Sequence, residues 1–274
     1  MEATNTMSSS SVQTHRFLHS LKRFILSPRW LSVIILLIAW ELLAIYRDTR
    51  VIPRLERIYI ELSHILFSGL FFEHLYASMV RILAGFTVAM LVGTIVGILM
   101  GSRRSWDEFF RDVVLFGLAL PGLIYALVSV MLFGLSIMAS IVAITATSYP
   151  FIAINIREGV RSIDKDLLDM GRAYRVNRDK VVRKIILPSL LPFFLAAIRI
   201  GFSIAWKVTT LVEVFGTTNG VGWQIRASFD VYSVHGMLAW ALLFGAVMLA
   251  IEYGILLPIE RYFGRWRPKA DQVI

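Results

Sequence analysis

Five side chains in an otherwise apolar stretch, Arg199, Ser203, Trp206, Thr210 and Glu213, recur at spacings of four, three, four and three. At 3.6 residues per turn they fall on one face of a helix, with Lys207 beside them. A charge near the centre of a bilayer costs about 2.5–3.5 kcal/mol on insertion scales, so such a face must meet protein or water rather than lipid. Two uses are open. The stripe lines a path for a polar solute, or it pairs with another span, for example Arg199 or Lys207 with Glu252. The same charges, with Glu252, are the coupling groups that an ion-coupled secondary transporter needs, and that is the alternative function.

A second concentration of polar chemistry is residues 157–188, which carry nine basic and five acidic side chains between two long apolar segments. Asp164 is placed to cap one short helix and Asn177 a second, with Pro188 expected to end it. Leu167, Gly171 and Tyr174 share a face of the first; Val181, Val182, Ile185 and Ile186 stripe the second. Short amphipathic helices of this kind need a partner for their apolar faces.

Other chemistries find no support. There is no Gly-x-x-x-x-Gly-Lys-Ser/Thr phosphate loop, no His-Glu-x-x-His zinc helix and no Gly-x-Ser-x-Gly nucleophile turn. The five histidines are scattered and there are no cysteines, so no catalytic residue, metal site or resident cofactor is expected. A net charge of +9 could suggest nucleic acid, but no aromatic and basic recognition module accompanies it. The basic residues sit at the ends of apolar runs, which points to anionic lipid headgroups and membrane topology.

The elements that position these residues are membrane spans. In 274 residues, 57% are hydrophobic and 17% charged, far too apolar for an ordinary soluble domain. The expected fold is all-α: a polytopic membrane protein of about six transmembrane helices with a cytoplasmic helix-turn-helix loop. An N-terminal tail, residues 1–29, precedes a transmembrane domain of residues 30–260, and a basic tail, residues 261–274, closes the chain, both tails cytoplasmic. The spans fall near 31–46, 76–100, two within the uncharged stretch 113–156, 190–215 and 237–257. Glu41, in the first, is expected near the outer interface. Pro53 opens a surface helix, and residues 216–223 read as a flexible outer loop. Gly85, Ala89, Gly93, Gly97 and Gly101, each four after the last, predict close approach by another helix. Pro121-Gly122 and Tyr149-Pro150 predict interrupted helices.

Asp169-Met170-Gly171-Arg172, followed by Ile185-Ile186-Leu187-Pro188, resembles the coupling loop of permease subunits of bacterial ABC importers, whose signature is Glu-Ala-Ala, a Gly, then Ile/Val-x-Leu-Pro. HLYASMVRILAGF, VGTIVGILMGSRR, IRIGFSIAW and LVEVFGTTNGVGW extend the resemblance to the nitrate/sulfonate/taurine branch. The resemblance implies an inner-membrane transport subunit, not an enzyme, that couples its pathway to separate ATPases holding ATP and Mg. Its implied partners are those ATPase subunits, a periplasmic solute-binding protein, a second permease copy (identical or not) and membrane lipid. The implied solute is a small anion such as a sulfonate, taurine or nitrate. The implied ATPase-coupling residues are Asp164, Leu167, Asp169, Gly171, Ala173, Arg175, Ile185, Leu187 and Pro188; the pathway candidates are Arg199, Ser203, Trp206, Lys207, Thr210 and Glu213. Arg175 stands where the family has glycine, which predicts an altered turn or a weaker fit to the ATPase.

Overall fold

A computed structural model of the chain describes residues 28–47 and 52–263. Most of the N-terminal tail and the C-terminal residues 264–274 lie outside the described residues. The described residues are helical throughout, with no strand among them.

The chain divides into two units, residues 1–60 and 61–274. In the first, α1 (Pro28–Tyr46) carries the apolar run expected of the first span. The Trp40 indole donates to the Pro53 carbonyl at 3.0 Å, and Glu41 accepts from the Leu55 amide at 3.0 Å. Leu55 opens α2 (Leu55–Phe67), so Glu41 satisfies one of the unpaired amides of a helix start with a favourable charge. That is a structural use for a carboxylate in an apolar helix.

The second unit is organised on α6 (Ile137–Arg161), against which α3 (Leu70–Ser102), α4 (Arg104–Ala119), α5 (Gly122–Phe133) and α9 (Leu187–Gly216) all pack. The row of small residues on α3 meets α6 in a constant register. A Cβ added at Gly85 would stand 2.7 Å from Ile144 Cβ, at Gly93 2.7 Å from Ile152 Cβ, at Gly97 2.7 Å from Ile156 Cβ, and at Gly101 2.5 Å from Val160 Cβ. Partner and glycine rise together along the two chains, so α3 and α6 run parallel and each branched side chain occupies the space a side chain on α3 would need. Thr145 Oγ1 adds a bond to the Gly85 carbonyl at 3.3 Å.

The uncharged stretch folds as α4 and α5, bent by 96° at a break, followed by α6. Leu120 and Pro121 form the break, and Gly134 in the left-handed region (φ 65°) makes the turn into α6, whose first turn Ser136 caps. Pro150, in contrast, does not interrupt α6: the helix is continuous, and Pro150 packs its ring against Gly117 of α4. Among the described residues four helical stretches are long and apolar enough to cross a membrane, five if the bent pair is one crossing; α1 is a shorter apolar helix.

Residues 165–263 complete the unit. α7 (Lys165–Ala173) and α8 (Arg178–Val181) are joined by a turn, and a π-helical turn (Val182–Ile186) leads into α9. α10 (Val221–Asp230) and α11 (Val234–Ile251) follow, and a second π-turn (Glu252–Leu256) leads into α12 (Leu257–Phe263). Core side chains include Ile82, Ile144, Phe202, Trp206, Val212, Trp240 and Phe244, with the Trp206 and Phe244 rings stacked at 4.1 Å.

Candidate coupling loop and solute-pathway face

The two capping residues expected for the charged segment do cap. Asp164 accepts from the Asp166 amide at 2.9 Å at the start of α7, and Asn177 from the Asp179 amide at 3.1 Å at the start of α8. Between them, Val176 N–H bonds to the Gly171 carbonyl at 2.9 Å and Arg175 N–H to the Arg172 carbonyl at 3.0 Å. This nested pair closes a helix whose next residue is left-handed, and Arg175 holds φ 50° there. Arg175 adopts the left-handed backbone conformation that glycine favours, at a cost of roughly 1–2 kcal/mol for a residue with a Cβ.

Pro188 does not end the second helix, as its missing amide suggested. The preceding turn widens, so that Leu187 N–H reaches back five residues to the Val182 carbonyl, and the helix passes into α9 with Pro188 in its first turn. Ser189 Oγ takes up the Ile185 carbonyl at 2.7 Å. The same arrangement recurs before Pro258, where Leu257 N–H bonds to the Glu252 carbonyl.

Of the coupling candidates, Gly171 is buried, and a Cβ there would touch Val181 at 3.4 Å; the helix faces meet through this contact. Asp169 is exposed and pairs with Arg172 at 2.9 Å. Leu167, Leu187, Tyr174 and Val176 are exposed, whereas Ile185 and Pro188 are half-buried and Ala173 is exposed. Asp169 and Leu187 line a cavity of about 1000 Å3 with Ile98, Arg161, Lys165 and Leu190, under the ends of α3, α6 and α9.

The polar stripe of α9 divides. Arg199 reaches Glu252 at 2.5 Å and Glu260 at 3.3 Å, which is the interhelical pairing set out from the sequence. Trp206 is buried against Phe244, and Ser203 and Thr210 are half-buried, the latter bonding back to the Trp206 carbonyl at 3.2 Å. Glu213 is fully buried. It accepts from Ser78 Oγ, Arg81 Nη1 and the Gly222 amide, each at 2.8 Å. Four-point satisfaction continues around it: Val221 N–H donates to Ser78 Oγ at 2.9 Å, Gly220 N–H to His74 Nδ1 at 3.2 Å, and Arg81 holds Asn219 through both its carbonyl and its side chain. Residues 217–220 are therefore a pinned connection, not the flexible loop expected, and α10 begins directly after it. The three donors and acceptors on α3 were missed because nothing local distinguishes them; only Arg81, a lone charge in an apolar helix, was a signal that Glu213 had a partner.

Lys207 is different from the rest of the stripe. It is exposed on the second unit, roughly 13 Å along the axis from Gly216 at ~1.5 Å per residue. Among the described residues none is paired with it: Glu213 is held by Arg81, Glu260 by Arg199, and Glu252 by Arg199 through Oε1. Val208 and Leu211, its helical neighbours, touch the position of Gly122 at the start of α5, at 3.5 and 3.9 Å from a Cβ placed there. Lys207 thus lies beside the place where the α4–α5 pair breaks.

Residues 89–257 match the family model described as binding-protein-dependent transport system inner membrane component. A putative ABC transporter permease protein of Methanocaldococcus jannaschii is 28% identical over 236 residues, covering 84% of this chain and 88% of the relative. The putative aliphatic sulfonates transport permease protein SsuC of Bacillus subtilis is 26% identical, with 79% and 78% covered. The bicarbonate transport system permease protein CmpB of Synechococcus elongatus is 29% identical, with 67% and 66% covered. Among solved structures, an inward-facing MetNI methionine ABC transporter chain superposes with a TM-score of 0.59 at 18% identity, over 69% of this chain and 93% of that one. An amino acid ABC transporter chain does so with a TM-score of 0.60 at 20% identity, over 73% and 97%. With the family model matched over more than half of the chain and sulfonate, bicarbonate and taurine permeases among its relatives, the chain belongs to the binding-protein-dependent transport system inner membrane component family, as an ABC importer permease of the nitrate/sulfonate/taurine branch.

Proposed function

We propose that this chain, with a second permease, forms the solute pathway of an ATP-driven importer of small anions in the cell inner membrane. Separate ATPase subunits work through the segment from Asp164 to Pro188, a solute-binding protein delivers from the opposite side, and both tails lie in the cytoplasm. The ATPase-coupling residues are Asp164, Leu167, Asp169, Gly171, Ala173, Arg175, Ile185, Leu187 and Pro188, with the exposed Leu167 and Tyr174 offering the apolar contact. The single observation that carries the pathway assignment is Lys207, an exposed cation with no partner among the described residues, on a helix long and apolar enough to cross a membrane. Lipid is a poor neighbour for it, so water or the second permease covers this face. Ser203 and Thr210 flank it, and a positive charge beside a helix break suits an anionic solute. The names of relatives, which include sulfonate, bicarbonate and taurine permeases, support the same substrate class.

Reconstituted with its ATPase and binding protein, the Lys207→Ala variant should take up an anionic solute at least about tenfold more slowly, in the range of one lost charge-assisted contact, while Lys207→Arg retains most uptake. Wild-type uptake by Lys207→Ala removes Lys207 from the pathway. Uptake by the chain alone in liposomes without ATP would replace this reading with the secondary transporter.

A further inference from the structure

We propose that Asp107 is a positioning residue for transport: it ties α4 to the last turn of α6, so that displacement of α7 reaches the helix break beside Lys207. This rests on the coupling role given to α7 above.

Asp107 is 1% exposed and gathers three guanidinium groups. Arg157 grips it as a fork, Nε to Oδ1 at 2.5 Å and Nη2 to Oδ2 at 3.1 Å; Arg111 Nη2 reaches Oδ2 at 2.6 Å and Arg161 Nη2 at 2.9 Å. Two of the three come from one turn of α6, and Arg161 is its final residue, just ahead of the Asp164 cap of α7. A bidentate arginine fixes orientation as well as distance, which a single lysine contact does not.

A second attachment lies farther along α4. Gly117 packs so closely on Pro150 that a Cβ would stand 2.8 Å from the ring, and Tyr125 of α5 donates its hydroxyl to the Gly117 carbonyl at 3.1 Å. Held at Asp107 and at Gly117, α4 has to follow α6. Its far end is the 96° bend at Leu120 and Pro121, and Gly122 beyond the bend touches Val208 and Leu211. Contiguous contacts therefore run from α7 through Arg161 and Arg157 to Asp107, along α4, and out to the face that carries Lys207. A neutral residue at 107 would leave Arg111 and Arg161 without this carboxylate and Arg157 with Glu158 alone, at 2.6 Å on its own helix, so nothing charged among the described residues would then tie α4 to α6 at this end.

The chain has no cysteine, so Ser105→Cys and Ser162→Cys, both exposed, can carry spin labels on the two sides of the tie. In the wild-type complex the label distance should be narrow with and without ATP; Asp107→Asn should lengthen and broaden it. In proteoliposomes with the ATPase and binding protein, Asp107→Asn should keep its ATPase and hydrolyse ATP while solute moved per ATP falls about tenfold, within the usual range of coupling energies, and Asp107→Glu should restore it. A wild-type label distance together with wild-type coupling in Asp107→Asn overturns the tie. If Asp107→Asn fails to insert, Arg157→Lys, which keeps charge and gives up the fork, takes its place with the same expected and overturning results. Failure of the wild-type chain to bind any ATPase would overturn the coupling reading instead, and the label distance in the permease alone would still decide whether Asp107 holds α4 to α6.

Discussion

Placing one methyl group at Gly85 tests whether the α3–α6 seam is as tight as its geometry indicates. The three atoms nearest the new Cβ all belong to Ile144: Cβ at 2.7 Å, Cδ1 at 2.8 Å and Cγ2 at 2.9 Å. Carbon atoms sit about 3.5–4.0 Å apart at their optimum, so the helices would have to separate by roughly 1 Å or Ile144 would have to leave its rotamer. Overpacking of this kind costs about 1–3 kcal/mol, against which the helix propensity of alanine over glycine returns about 0.5–1. Gly85→Ala should therefore destabilise by up to about 2 kcal/mol in reversible unfolding from mixed micelles. The background decides the cause. Ile144→Ala keeps the Cβ at 2.7 Å and should not relieve the penalty, whereas in Ile144→Gly the same Gly85→Ala change should become neutral or stabilising by about 0.5–1 kcal/mol. An equal penalty for Gly85→Ala in the wild-type and Ile144→Gly backgrounds would refute the reasoning.

Two further predictions concern the loops. Arg175→Gly should stabilise the turn after α7 by about 1 kcal/mol, because it removes a left-handed residue with a Cβ, and slower hydrogen exchange at the Val176 amide is the direct readout; faster exchange would contradict it. Glu213→Ala should cost about 3–5 kcal/mol, since it leaves Arg81 without its counter-ion, with only Asn219 to accept from it, and the Gly222 amide without its acceptor. Limited proteolysis should then cut within residues 217–220, which wild type protects; equal resistance would show that the loop is held by other contacts.

Local signals in the sequence proved reliable where the physics is local. Asp164 and Asn177 cap because a side chain needs to reach only two residues ahead. The glycine row announced a close helix contact, but the register to Ile144, Ile152, Ile156 and Val160 depends on a helix some sixty residues away, so the partner was not legible. Pairing of Arg199 with Glu252 is one of the two uses the sequence leaves open for the polar stripe of α9. Glu213 with Arg81 is the same kind of pair, but its partner lies 132 residues away on α3, where nothing local points to it. Proline is a mixed guide: Pro121 breaks the chain as expected, while Pro150 lies within a continuous helix with its ring against Gly117, and a π-turn absorbs the missing amide of Pro188. The sequence said least about Asp107, whose importance comes from Arg157 and Arg161, residues easily passed over as positive charge at the end of a span.

The two π-turns give the bundle an uneven elasticity. The first opens α9 and the second closes α11, and Arg199, roughly 20 Å along α9 from the first at ~1.5 Å per residue, bridges the two helices through Glu252, itself a member of the second π-turn. A π-turn spreads its hydrogen bonds over a wider ring than an α-turn, so it yields to bending more readily than the helix on either side. The keyed seam of α3 and α6 cannot yield in that way, because any slip short of a full turn drives a branched side chain into a backbone. Bending of α9 or α11 is therefore expected to concentrate at its π-turn, while the keyed α3–α6 seam is expected to move as one piece, like a stiff shaft between compliant collars.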